Sequence, residues 1–238
     1  MRMIRSSAMW LVPVALATLA ACSGSDPAAT ASGQPSEGVF PDQPEPAPAG
    51  RFAPRNECVE LPGAKLFFVD LGKAVRDRDV DALLKLTAAD VKLDFGGGGG
   101  LTTFKERLAD KDGKLWEELD KLLDLGCAVD EGGDMVLPWL FAQDLGVDDP
   151  FSTMVTLGPD VVMRERPEKS APVVETIAWD TVQLADGFDP AAEFAAVTSR
   201  SGKPGFIANA MLRSPVDYRL YIARNGERWQ IVSFVAGD

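Results

Sequence analysis

The chain predicts an α+β protein: a helical N-terminal half and a C-terminal β-hairpin, with a small β-barrel inserted between them. Three observations carry this expectation. Apolar residues recur at helical spacing between Ala64 and Leu125. Between Val155 and Pro215, short apolar runs recur every few residues, separated by Pro, Gly, Ser and charged clusters, as in the short strands of a barrel. From Asp217 to Val235, two alternating segments flank Asn225-Gly226, the strongest short hairpin signal.

The start of the chain speaks to location. Arg2 and Arg5 precede an apolar run, Ala8 to Thr18, too short to span a bilayer as a helix; Leu19-Ala20-Ala21-Cys22 follows. This resembles a lipoprotein signal peptide, residues 1–21, whose lipobox ends in the cysteine that carries the acyl chains, palmitate among them. The competing reading is an ordinary secretory signal with an incidental cysteine. Several acyl chains anchor far more firmly than one. Ser23, and not Asp, comes after Cys22. In lipoproteins of two-membrane bacteria that implies an outer-membrane anchor facing the periplasm. Residues 22–56 read as a disordered linker: Pro27, Pro35, Pro41, Pro44, Pro46, Pro48 and Pro54 alternate with Ala, Ser, Gly and acids, without apolar periodicity. Such a tether holds the folded part off the membrane, at a reach of at most about 100 Å.

Composition narrows the chemistry. The signal segment removes Arg2 and Arg5 and no acid, leaving 22 basic against 36 acidic side chains, a net charge of −14. That argues against nucleic acid and anionic head groups as partners. The chain has no histidine. Ser-His-Asp and Cys-His catalysis need an imidazole base, and zinc hydrolases almost always use histidine ligands. No metal or other cofactor is expected. Among the common cell-wall chemistries, a carboxylate-pair glycosidase survives.

Residues 57–154 read as mostly helical. Ala64 to Arg76 places Phe67, Leu71, Ala74 and Val75 on one face; Asp79 can cap a second short helix carrying Leu83, Leu84 and Leu86. Val91, Leu93 and Phe95 alternate as in a strand. Thr103-Phe104-Lys105-Glu106 is a capping box that starts a third helix. Gly113 to Leu125 has the stripe Leu115, Leu119, Leu122 and Leu123, an i,i+4 pair Glu117–Lys121, and Gly126 as terminator. Cys58 and Cys127 sit at element ends just before the first helix and just after this last one. In a compartment that oxidises thiols they are expected to pair, provided their Cα atoms lie within about 7 Å; otherwise they are two buried thiols.

Three features have a plainer reading than their first appearance. The run Gly96 to Gly100 before Leu101-Thr102-Thr103 matches neither nucleotide-loop pattern and has no lysine in the phosphate position, so it reads as a strand-to-helix turn. Asp130, Glu131 and Asp134 lack calcium-loop spacing and fit a turn around Gly132-Gly133. Asp144, Asp148 and Asp149 lie in a Gly/Pro loop, with no partner implied.

Residues 155–215 carry an ordered set of parts: Met163-Arg164, Pro167, Val173 to Ile177, Trp179-Asp180, Thr181 to Leu184, and Gly202-Lys203-Pro204-Gly205-Phe206-Ile207. This resembles the bacterial SH3-type domain of cell-envelope proteins. Val162 stands where that family usually has Asn, and Phe206 where Trp or Tyr is common. The resemblance implies a binding or structural module and does not name its ligand; the expected partner is peptidoglycan or an envelope protein. Trp179 precedes Asp180 in a turn near Arg164 and Arg166, and the three are a candidate site for a carboxylate-bearing peptide. Phe194 and Phe206 are expected mainly to pack. The competing reading makes Trp179 a core plug and the arginines solvated charges.

Residues 216–238 form the hairpin: Tyr218, Leu220 and Ile222 alternate, then Trp229, Ile231, Ser233 and Val235 on the return. Aromatic strand, Asn-Gly, Gly226-x-x-Trp229-x-Ile231 resembles the last two strands of nuclear-transport-factor-2-like cone domains, which open with two helices similar to Lys65 to Leu86. That resemblance makes the hairpin part of the helical unit; alternatively it extends the barrel. The functional expectation is non-catalytic binding or scaffolding in the cell envelope. Alternatives are a glycosidase, marked by two carboxylates in one cleft, and a carrier, marked by a cavity lined by Phe67, Trp116 and Trp229.

Overall fold

The computed structural model describes residues 50–110 and 114–237; the signal segment, Cys22 and the linker as far as residue 49 lie outside them. Four helices come first: α1 (Ala64–Arg76), α2 (Val80–Lys85), α3 (Gly100–Ala109) and α4 (Leu115–Asp124). Twelve strands accompany and follow them: β1 (Thr87–Lys92), β2 (Ala128–Val129), β3 (Met135–Leu137), β4 (Thr153–Thr156), β5 (Val161–Arg164), β6 (Val173–Ile177), β7 (Thr181–Leu184), β8 (Phe194–Ser199), β9 (Pro204–Ala208), β10 (Leu212–Arg213), β11 (Arg219–Asn225) and β12 (Arg228–Val235). The expected helical half with a small inserted barrel is therefore corrected. The protein is mostly β, with few helices and two sheets of five and seven strands.

The first sheet has the order β1-β12-β11-β3-β2, parallel at β1–β12 and antiparallel elsewhere. Its two faces separate by the period-2 alternation of strands, with a bulge at Val232 of β12 shifting the phase so that Ile231 and Phe234 share a face. Leu220 and Ile222 of β11, Met135 and Leu137 of β3, and Ile231 and Phe234 of β12 face the helices. There they meet Phe67, Phe68, Leu71, Leu83, Phe104, Leu119 and Leu122 in one core. Tyr221 and Val136 point the other way, into a second cluster with Phe52, Ala128, Trp139, Leu140 and Val155. Because Val155 belongs to β4, this cluster joins the two sheets. Covering both faces explains why Met135-Val136-Leu137 is apolar and buried throughout.

The helices follow their apolar stripes. Asp79 caps α2 by accepting a hydrogen bond from the Ala82 amide at 2.9 Å. α4 buries Leu115, Leu119, Leu122 and Leu123 and stops before Gly126, whose φ of +76° favours glycine. A Cβ there would also come within 2.1 Å of the Arg55 carbonyl. Local details differ from the sequence reading. α3 starts at Gly100, so Thr103 and Glu106 lie inside it and form no capping box. Lys121 pairs with Glu118 at 2.6 Å, where Glu117 was expected.

The second sheet runs β10-β4-β7-β8-β9-β5-β6 and is antiparallel throughout. It curls, so that Glu175 on its edge strand β6 accepts hydrogen bonds from the hydroxyls of Ser199 (2.8 Å) and Ser201 (2.9 Å) at the end of β8. Val161, Met163, Ile177, Val182, Ala195, Val197 and Ile207 fill its inside. Gly205 lies where a Cβ would fall 2.6 Å from Met163 Cγ, so its lack of a side chain lets β9 close on β5.

Residues 50–56, read from sequence as the end of the linker, belong to this body. Phe52 is 2% exposed in the cluster between the sheets, and its amide donates to the Trp179 carbonyl at 2.8 Å. Seven residues with one aromatic side chain carry no periodicity, and Pro54 made the segment look like more tether. Cys58 and Cys127 are joined by a disulfide, with Cα atoms 5.8 Å apart. Around it the Cys127 amide donates to the Arg55 carbonyl (2.8 Å) and the Glu57 amide to the Cys127 carbonyl (2.9 Å).

Candidate functional site

The structure separates the residues expected to form the ligand site. β5 and β6 pair with Val161 opposite Ile177 and Arg164 opposite Val173. Trp179 follows the Ile177 end, while Arg164 and Arg166 lie at the other, about 13 Å of strand away. Trp179 is half-buried at φ +45°, its amide donating to the Gly158 carbonyl at 3.0 Å and its carbonyl accepting from Phe52. A Cβ on Gly50 would sit 2.5 Å from Trp179 Cβ. Trp179 therefore seats the segment by which the chain enters the folded body. Arg164 donates to the Ala171 carbonyl at 2.8 Å, and Arg166 approaches Glu168 at 4.0 Å. The three do not form one site.

The other candidates resolve into structure. The glycine turn is gathered around Asp94, whose Oδ1 accepts from the amides of Gly96 (2.8 Å) and Gly98 (2.7 Å). Those amides are thus taken by a carboxylate of the chain itself. The Arg107 guanidinium, with these amides, holds the Asp94 carboxyl below its ordinary range. Asp130 accepts from the amides of Gly132 and Asp134 at 2.9 Å, closing the turn before β3. Asp149 caps a 3-10 turn by accepting from the Phe151 amide. Phe67 and Trp229 are 5% and 6% exposed within the packed core, and Trp116 lies partly buried beneath the Arg78 guanidinium. Among the described residues no group of three or more potential ligands is placed to hold a metal ion.

A different surface stands out. β8 and β9 pair with Phe194 opposite Ala208 and Ala196 opposite Phe206. Their neighbours Ala195, Val197 and Ile207 point into the sheet's interior, so Phe194, Ala196 and Phe206 point outward. The uncovered face of an antiparallel sheet is ordinarily polar. Here it forms the floor of a cleft of about 380 Å³, a size in the range of ligand sites. The β7–β8 loop supplies one wall with Asp186, Phe188, Asp189 and Glu193, and Pro167 of the β5–β6 loop lies on the other side. The walls are tied together where Lys169 meets Glu193 at 2.9 Å, and Glu193 raises the Lys169 ammonium above its ordinary range. Asn209 braces the β7–β8 loop by donating to the carbonyls of Asp189 (3.1 Å) and Ala192 (2.7 Å).

Sequence reading assigned Phe194 and Phe206 mainly to packing and passed over Phe188. The available signal was the alternation Phe194-Ala195-Ala196-Val197, which puts a large ring opposite the small and branched residues of the interior. No protein-family model and no curated protein matches this chain.

Proposed function

We propose that this is a non-catalytic binding protein of the cell envelope, tethered to the membrane through Cys22, whose recognition surface is the phenylalanine cleft on the seven-stranded sheet. The observation that carries the reading is the outward apolar row Phe194, Ala196 and Phe206, extended by Phe188, on a sheet face that water would otherwise select to be polar. The two Asn209 hydrogen bonds hold the β7–β8 loop in place beside this surface, which lowers the entropy cost of binding. The Cys58–Cys127 disulfide fits a compartment outside the reducing cytosol. The linker up to residue 49 then acts as a spacer between lipid and binding body. The partner is an envelope component presented as an extended chain.

The non-catalytic reading rests on chemistry. The chain has no histidine, and the three acids lining the cleft, Asp186, Asp189 and Glu193, are all exposed on the one β7–β8 loop and do not face each other across the trough, as a carboxylate pair flanking a glycosidic bond would. The Asp124 carboxyl, pushed up by burial and by Asp120, lies at the end of α4, outside the cleft.

The test is retention of the mature chain on intact sacculi that keep their associated envelope proteins. Phe188 is 36% exposed, so Phe188→Ala is expected to cost roughly 1–2 kcal/mol, from the part of the ring that is out of water. Retention should fall with that variant while the far-UV circular dichroism stays native and unfolding stays cooperative, with a midpoint only modestly lowered. Unchanged retention would show that the cleft is not the binding surface.

A further inference from the structure

The cleft's rim suggests what enters it. Its lining carries three acids, Asp186, Asp189 and Glu193, and neither lysine nor arginine. One of the three already holds a cation, since the Lys169 ammonium lies 2.9 Å from Glu193. Asp186 has no ion pair among the described residues, and Asp189 uses one oxygen on the Ala191 amide and leaves its charge uncompensated by any cation there. Arg164, the cross-strand partner of Phe206, donates to the Ala171 carbonyl and keeps its charge beside the floor, Arg166 approaches Glu168 at 4.0 Å and Arg200 pairs with Asp180 at 3.3 Å; none of the three lines the trough. The whole chain is acidic, at −12. The site is therefore an apolar trough with a negative margin, set in a negative molecule.

We infer that the cleft's occupant is an extended, cationic segment of a partner protein, its aliphatic or proline side chains on Phe188, Phe194 and Phe206 and its lysine or arginine groups against Asp186 and Asp189. The inference rests on the reading of the cleft as the binding surface. Aromatic troughs accept extended segments through ring-to-side-chain contact, which is indifferent to charge. The acids supply the discrimination, attracting cations and repelling a carboxylate-rich stem peptide. Long-range attraction from the net charge speeds encounter with a basic partner.

The experiment is fluorescence anisotropy with the mature, disulfide-intact chain and labelled short peptides of alternating proline and lysine, proline and threonine, or proline and glutamate. A soluble peptidoglycan stem peptide is the fourth probe. The lysine peptide is expected to bind at least about tenfold more tightly than the threonine peptide, and to lose that advantage at high salt. The double variant Asp186→Asn, Asp189→Asn keeps the oxygen that the Ala191 amide uses and should erase the same preference. Phe188→Ala should weaken the lysine and threonine peptides alike. Equal affinity of these two peptides, with Phe188→Ala still weakening both, would overturn the cationic assignment and leave the cleft as the site. Tighter binding of the glutamate or stem peptide would overturn it in favour of an acidic ligand. Absence of binding by every peptide would also overturn it, and sacculus retention would continue to test the cleft separately.

Discussion

Reducing the Cys58–Cys127 bond is a perturbation whose size follows from the structure. The disulfide encloses α1 to α4 in a loop with a sequence separation of 69 residues. In the chain-entropy account, opening a loop of that length returns about 4 kcal/mol of freedom to the unfolded chain. For a body of this size that corresponds to a fall in Tm of roughly 8–16 °C. The folded state changes little, because Arg55, Glu57 and Cys127 remain hydrogen-bonded through their backbones and Gly126 still packs against the Arg55 carbonyl. The assay is thermal and urea unfolding of the oxidised chain, the reduced chain, and the double variant Cys58→Ala, Cys127→Ala. Reduced and double-variant proteins should keep native far-UV circular dichroism and melt lower by similar amounts. A reduced protein that melts with the oxidised one would refute the argument that this bond closes the helical layer against the unfolded chain.

Three other expectations have independent causes. Arg213 of β10 is 4% exposed; it pairs with Asp217 (3.2 Å) and Glu118 of α4 (3.5 Å) and donates to the Tyr218 carbonyl (2.7 Å). Arg213→Met should cost about 2–3 kcal/mol in urea unfolding, below the 3–5 of a fully buried pair because Asp217 reaches water and Glu118 keeps Lys121; a loss under about 0.5 kcal/mol would contradict this. The Asp94 carboxyl is held low, so its stabilisation is complete above the unfolded value near 3.9 and is lost as pH falls through its folded value. Asp94→Asn should therefore lower the urea midpoint at neutral pH and flatten the loss of stability below about pH 4, and an unaltered acid profile would refute it. Cys22→Ser should leave the precursor uncleaved at that site and unlabelled by palmitate; normal acylation and membrane fractionation of this variant would contradict the lipobox reading.

What the sequence discloses here depends on how long each pattern runs. The thirteen residues of α1 and the hairpin around Asn225-Gly226 repeat their periods often enough to be read directly. β2 has two residues and β3 three, and β1 pairs in parallel with a strand from the other end of the chain. A local window shows only an alternation at Val91, Leu93 and Phe95 that overlaps the end of β1 and a turn at Gly132-Gly133; the pairing of these short pieces into one sheet is long-range, which is why the N-terminal half read as helical when it contributes three strands. The tether boundary was misplaced because Phe52 is buried only by long-range contacts with Trp139, Val155 and their neighbours. The candidate site shows the same limit. Trp179 looked accessible because it precedes Asp180 in a turn, but what covers it is the entering chain at Gly50 to Phe52. Phe188 lies in a loop, with no period to mark it; only the register of β8 on β9 brings Phe194 and Phe206 beneath it.

The central claim is that the phenylalanine cleft meets a partner in the living envelope. Site-specific photo-crosslinking tests it directly, with a photoreactive aromatic residue replacing Phe188 in one strain and Leu66 in another. Leu66 is 67% exposed on α1, apart from the cleft, and serves as the reference surface. The account predicts a discrete adduct from position 188 that weakens when Phe206→Ala is added, and none of that size from position 66. No adduct from position 188, or the same adducts from both positions, would contradict it.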